Sequence, residues 1–124
     1  MTTSDQNPFD ALEKIFHEPN RLSIMSALCA ADKGLTFNEL RNQCELTDGN
    51  LNRHLKVLDE AESICITKAF VKNKPQTTVS LSKRGLKRFE EYLSALQQVL
   101  SVAQQGLQDD SATQTAPTGK TVLA

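Results

Sequence analysis

The sequence predicts a mainly α fold with a small β-hairpin, closed by an extended C-terminal helix. Three observations carry that reading. Apolar residues recur in steps of three and four along most of the chain. Two helix starts, at Thr36 and Thr47, follow each other with little chain between them. Between Ile64 and Leu81 the apolar period changes from helical to alternating.

Asn7 and Pro8 read as an N-cap and a proline at the first helical position. Phe9, Leu12, Ile15 and Phe16 follow at helical spacing, so a first helix is expected to about His17. Pro19 opens another, with Leu22, Met25, Leu28 and Cys29 on one face, ending near Ala31 before a turn at Asp32 to Gly34. Thr36-Phe37-Asn38-Glu39 is a capping box, in which the threonine hydroxyl and the glutamate carboxylate each satisfy an unpaired backbone amide. Leu35 and Leu40 have the spacing of a hydrophobic staple. This helix is short, ending near Cys44. After Glu45 and Leu46, Thr47 caps the next helix, which keeps Leu51, Leu55, Leu58 and Ala61 on its inner stripe. Helix, tight turn and polar-faced second helix make a helix-turn-helix pattern.

Ile64, Ile66, Lys68 and Phe70 alternate with Cys65, Thr67, Ala69 and Val71, and Thr77, Val79 and Leu81 alternate with Thr78 and Ser80. The polar connection Lys72 to Gln76 joins them into a hairpin with a basic tip, a wing beside the helix-turn-helix. Ser82 caps a long helix whose Leu86, Phe89, Leu93, Leu96, Leu100 and Ala103 form a heptad-like seam. That seam extends beyond what a small core covers, so dimerisation through Leu86, Phe89, Leu93, Leu96 and Leu100 is expected. The architecture is a winged helix-turn-helix with an extended C-terminal dimerisation helix. Residues 1–7 read as a flexible N-terminus, 8–105 as one domain, and 106–124 as a disordered tail rich in Ser, Thr, Gln, Ala and Gly.

A length of 124 residues suits one domain and is short for two. With 39% hydrophobic and 23% charged residues the composition is that of a globular protein, not a fibre. Neither a signal peptide nor an apolar run of roughly 20 residues is present, so a cytoplasmic protein without membrane contact is expected. Cys29, Cys44 and Cys65 lack metal-site spacing and read as buried free thiols, and no cofactor is expected. His17 and His54 stand on different elements, and no GxSxG, P-loop or GxGxxG occurs, which argues against an enzyme. His54 falls beside the leucine stripe and reads as a packing histidine. Glu90-Glu91 and Asp109-Asp110 read as solvated charge.

The net charge is −1, yet from Ile64 to Arg88 the chain carries Lys68, Lys72, Lys74, Lys83, Arg84, Lys87 and Arg88 and no acidic residue. Such a run supplies phosphate attraction or merely a solvated face. The major groove admits one α-helix, and its base edges are read by short, fork-shaped donors and acceptors. Asn50, Asn52 and Arg53 are residues of that kind, and Lys56 suits a phosphate. Lys72 and Lys74 suit a backbone or minor-groove contact, or else protection of an edge strand.

The strings Thr36-Phe-Asn-Glu-Leu, Leu46-Thr-Asp-Gly-Asn-Leu-Asn-Arg-His-Leu-Lys-Val-Leu-Asp-Glu-Ala and Lys74-Pro-Gln-Thr-Thr-Val-Ser-Leu-Ser-Lys-Arg-Gly resemble the winged-helix regulators related to the ArsR and MarR families. The likeness spans about residues 8 to 105. It implies a homodimer joined through the terminal helices, on a roughly palindromic site. By the same resemblance Thr47, Asp48, Gly49, Asn50, Asn52, Arg53 and Lys56 go to the major groove and Lys72 and Lys74 to the wing contact. The paired-cysteine signature of the metal-sensing members is absent, and Glu60-Ala61-Glu62-Ser63 stands where Glu-Ala-Gly is usual.

The function expected is therefore regulation of transcription, as a repressor, by a homodimer bound to double-stranded DNA. The rival is a winged helix that docks on a protein. No residue cluster identifies an effector, though a small molecule between the terminal helices is compatible with the sequence.

Overall fold

The computed structural model describes residues 13–114. Four helices and a three-stranded antiparallel sheet follow in the order α1 (Pro19–Ala30), β1 (Leu35–Thr36), α2 (Phe37–Cys44), α3 (Asp48–Glu60), β2 (Ile64–Val71), β3 (Lys74–Leu81) and α4 (Lys83–Gln114). The strands lie in the order β1-β3-β2. This is a mainly α winged-helix fold with a long C-terminal helix.

Local chemistry sets each helix start. Glu18 caps α1 by accepting from the Arg21 amide at 2.7 Å, and Pro19 occupies the position that needs no donor. The box at α2 forms as expected: the Thr36 hydroxyl accepts from the Glu39 amide at 3.1 Å, and the Thr36 amide donates to the Glu39 carboxylate at 2.9 Å. Glu45 then takes a left-handed conformation, φ 56°, so its amide meets the carbonyls of Arg41 and Asn42 and stops the helix. Thr47 starts α3 by accepting from the Asn50 amide at 3.1 Å. At α4 the Ser82 hydroxyl accepts from the Gly85 amide at 2.8 Å and donates to the Glu62 carbonyl at 2.7 Å.

The helices and one sheet face enclose a single core of Phe16, Ile24, Met25, Leu28, Leu40, Leu51, Leu55, Leu58, Ile64, Val79, Phe89 and Tyr92. Burying each of the large aliphatic side chains contributes about 1.5–3 kcal/mol. The rings of Phe16, Phe89 and Tyr92 pack together, Phe16 edge-on to both, and tie the chain before α1 to α4.

The structure departs from the sequence expectations at several places. The first helix, expected to run to His17, is in its described portion only a turn, with the amides of Phe16 and His17 both on the Glu13 carbonyl. Its start at Asn7-Pro8, like residues 1–7, lies outside the described residues. Strand β1 has no counterpart among the sequence expectations. It exists because Gly34, at φ +89°, lets Leu35 and Thr36 lie alongside Val79 and Thr78.

The hairpin is also longer and tighter than its sequence suggests. Lys74, Pro75 and Gln76 belong to β3, and only Lys72 and Asn73, at φ 54° and 65°, make the turn. Cys29 and Cys65 are exposed and Cys44 half-buried, so the thiols are free but not buried. Finally, α4 continues through 106–114, where a disordered tail is expected from composition, because a helix already nucleated by packing gains a hydrogen bond for each residue it adds. Residues 115–124 lie outside the described residues.

The seam of α4 divides between the core and solvent. Phe89 is 1% exposed and lies in the core of the chain itself, with Tyr92 and Ala95 buried beside it, and this corrects its expected place in a dimer contact. Leu96 is half-buried against the same core. Leu86, Leu93, Leu100 and Leu107, seven residues apart, stay exposed along the edge beside them. A helix turns back to nearly the same direction every seven residues, so they form one apolar stripe.

Candidate nucleic-acid interface

The outer face of α3 is built from Gly49, Asn52, Arg53 and Lys56, all exposed, at steps of three, one and three residues. That spacing places them in one stripe on the side opposite the buried Leu51, Leu55 and Leu58. Arg53 donates to the Asn50 side-chain oxygen at 3.0 Å, so the guanidinium is held along the helix. A Cβ on Gly49 would meet nothing within 4 Å. Packing inside the chain therefore does not require glycine there, and the first turn of α3 is left bare.

Thr47 and Asp48 serve the helix itself. The Thr47 hydroxyl is the cap, and the Asp48 carboxylate accepts from Arg41 at 2.8 Å. Arg41 lies in the last turn of α2, so this ion pair fixes α3 against α2 across the tight turn. Sequence reasoning missed Arg41. Its only signal was a cation seven residues before an acid at a helix start, where both charges also suit the helix dipoles.

Behind the outer face, His54 is buried and accepts from Arg21 at 3.3 Å. Burial holds the imidazole below its ordinary value of 6.5, and it is neutral at pH 7. It is a packing histidine.

The wing carries Lys72 in its turn and Lys74 at the start of β3, both exposed. Only some of the basic run stands free beside them. Arg84 is paired with Glu62 at 2.6 Å, and Arg88 with Glu13 while also donating to the Ala61 carbonyl at 2.9 Å. These two arginines hold α4 and the chain before α1 to the α3–β2 junction. Among the described residues Lys68, Lys72, Lys74, Lys83 and Lys87 are exposed and unpaired.

Between the start of α2 and the wing opens a concavity of about 650 Å³, lined by Thr36, Phe37, Asn38, Val71, Lys72, Lys74, Pro75, Gln76 and Thr77. Its lining includes two cations and no carboxylate. Among the described residues no His, Cys, Asp and Glu cluster could hold a metal ion, and no helix is long and apolar enough to cross a membrane.

A polar helix pinned by its neighbour beside a lysine-tipped hairpin defines the class, and comparison with known proteins agrees. The family model for the winged helix DNA-binding domain matches residues 20–100. The chain belongs to that family. It is 31% identical over 86 residues to the uncharacterized protein MJ0432 of Methanocaldococcus jannaschii, covering 69% of this chain and 92% of that one.

Among solved structures it is similar to a transcriptional regulator homologue from Pyrococcus horikoshii OT3, with a TM-score of 0.71 and 25% identity over 79% of this chain and 97% of that one. A MarR-family protein of Enterococcus faecalis V583 superposes with a TM-score of 0.69 at 18% identity, covering 87% of this chain and 96% of the other. MepR of Staphylococcus aureus, in a complex with DNA, gives 0.64 at 17% identity, with 89% of each chain covered.

Proposed function

We propose that this chain is a transcriptional regulator that binds double-stranded DNA sequence-specifically as a homodimer and represses by occupying its site. The observation that carries the reading is the stripe of Gly49, Asn52, Arg53 and Lys56 on a helix fixed by the Arg41–Asp48 pair, with Lys72 and Lys74 beside it on the wing. Asn52 and Arg53 offer the fork-shaped groups that read base edges, and Asn50 orients Arg53. Gly49 lets the groove wall approach the start of α3, where helix amides attract phosphate. Thr47 and Asp48 hold that start in place. Lys56 and the wing lysines meet phosphates or the adjacent minor groove. The MepR complex with DNA supports this use of the fold.

The exposed stripe Leu86, Leu93, Leu100 and Leu107 supports pairing of α4 with its counterpart, Leu96 contributing at the edge. Two reading helices would then face half-sites about 34 Å apart.

The test is fluorescence anisotropy on mixed-sequence and genomic-promoter duplexes across a salt series. Salt-sensitive binding is expected. Arg53→Ala should lose sequence preference, at a cost of about 1–3 kcal/mol on the preferred site. Lys72→Ala with Lys74→Ala should weaken all duplexes alike and lower the salt slope by about 2. No binding at low salt would overturn the DNA reading in favour of a protein partner.

A further inference from the structure

We propose, on the DNA-binding reading above, that Phe70 is an apolar wedge that the wing inserts into the minor groove to unstack a base step. Phe70 is 77% exposed, the most exposed large apolar side chain among the described residues. The hairpin pairs residue for residue from Ile64↔Leu81 to Val71↔Lys74 without a bulge. Side chains therefore alternate strictly, and Phe70 shares a face with Ile64, Ile66 and Lys68. Opposite it in the register stands Pro75, on the same face of the hairpin. Ile64 and Val79, on this face, are buried in the core with Leu51, Leu55 and Leu58 of α3. Phe70 consequently points to the side of the sheet where the reading helix lies.

Reach and charge both suit the groove next to the one that α3 enters. Six residues at about 3.4 Å place Phe70 about 20 Å beyond Ile64, close to the half-turn of about 17 Å between adjacent grooves. Lys68 shares its face, Lys72 stands in the turn and Lys74 opposite Val71, and β2, the turn and β3 carry no carboxylate. The phosphates that line the minor groove would hold these lysines while the ring meets the base edges. β2 is also an edge strand with Ile66, Phe70 and Val71 exposed, a surface prone to sticking unless something covers it. A phenylalanine slipped between base pairs unstacks them and bends the duplex.

The experiment first selects a tight site from a random-sequence duplex library with the native protein. 2-Aminopurine is then placed at each position of that site, and the bend is read by energy transfer between the duplex ends. Wild type should brighten 2-aminopurine at one step of each half-site and bend the duplex. Phe70→Ala should lose both signals and about tenfold in affinity, with its salt slope unchanged because no charge is removed. Phe70→Leu, which keeps an apolar wedge, should retain most of the bend. Lys72→Ala with Lys74→Ala instead lowers the salt slope. If Phe70→Ala binds and bends the selected duplex as wild type does, the wedge is overturned while the DNA reading stands. If the library yields no bound duplex, the DNA reading fails and the wedge with it.

Discussion

Gly85 meets the α3–β2 junction so closely that a Cβ on it would stand 1.8 Å from the Ser63 carbonyl oxygen. The neighbour is backbone and cannot swing away, so Gly85→Ala should cost about 3 kcal/mol, read as a lower urea midpoint with unchanged slope. The sequence shows this glycine within a motif, but its reason lies in a residue 22 positions earlier. His54 makes a second test. Burial is the main cause of its lowered pKa; Glu18 opposes the shift, while Arg21 and Arg53 add to it. The unfolded chain thus takes up the proton more readily, so the contribution to stability is complete above about pH 6.5 and is lost as pH falls through the lower folded value. Thermal melts at about pH 7.5 and about pH 5.5 should show wild type weakened at the acid value and His54→Gln less so. Partial burial of His54 was legible from its place beside the leucines. The exposure of Cys29 and Cys65 was not, because periodicity fixes which residues share a face and not how far the neighbouring element covers it.

Helix starts were the most legible elements, since a cap is a contact among residues three apart. Thr36→Ala removes one partner of the box and should cost about 1 kcal/mol, measurable as a shift in the unfolding midpoint. The wing was legible as a hairpin but not in extent. Pro75 and its polar neighbours look like a loop. Yet Pro75 sits across from Phe70, one pair from the turn, a position that donates no hydrogen bond to its hairpin partner. Strand β1 has two residues and no alternation to betray it; it forms only because β3 is already there. In α3, the exposure of Asn52, Arg53 and Lys56 on the face opposite the leucines was legible from residue type and spacing alone. The partner that steadies it, Arg41, sits in another helix, and pairing between helices leaves little trace in a single sequence.

At the scale of the whole molecule, α4 serves two surfaces. Its Phe89 and Tyr92 close the subunit core, and its leucine stripe faces outward. On the proposed pairing of α4, Leu93→Glu with Leu100→Glu should turn a dimer into a monomer by light scattering, with the wild-type helical signal retained. Losing the second reading helix should weaken binding to a two-half-site duplex by about a hundredfold. A variant that stays dimeric would place the subunit contact elsewhere. Phe89→Ala, by contrast, should lower the melting temperature of the subunit itself, at a cost of about 3–5 kcal/mol.

The sequence by itself determined the order of the helices from Pro19 onward, the capped helix-turn-helix, the hairpin and the residue types on the outer face of α3. Each of these depends on groups a few positions apart, whose geometry the backbone dictates. Only the tertiary structure decided that the seam of α4 splits between a core and an outer stripe, because that requires knowing which side Phe16 and the other helices already occupy. It likewise decided that Arg84 and Arg88 are consumed by Glu62, Glu13 and the Ala61 carbonyl, leaving the lysines of the basic run exposed and unpaired. A charge's availability is set by the groups that fold against it, and those lie far away along the chain.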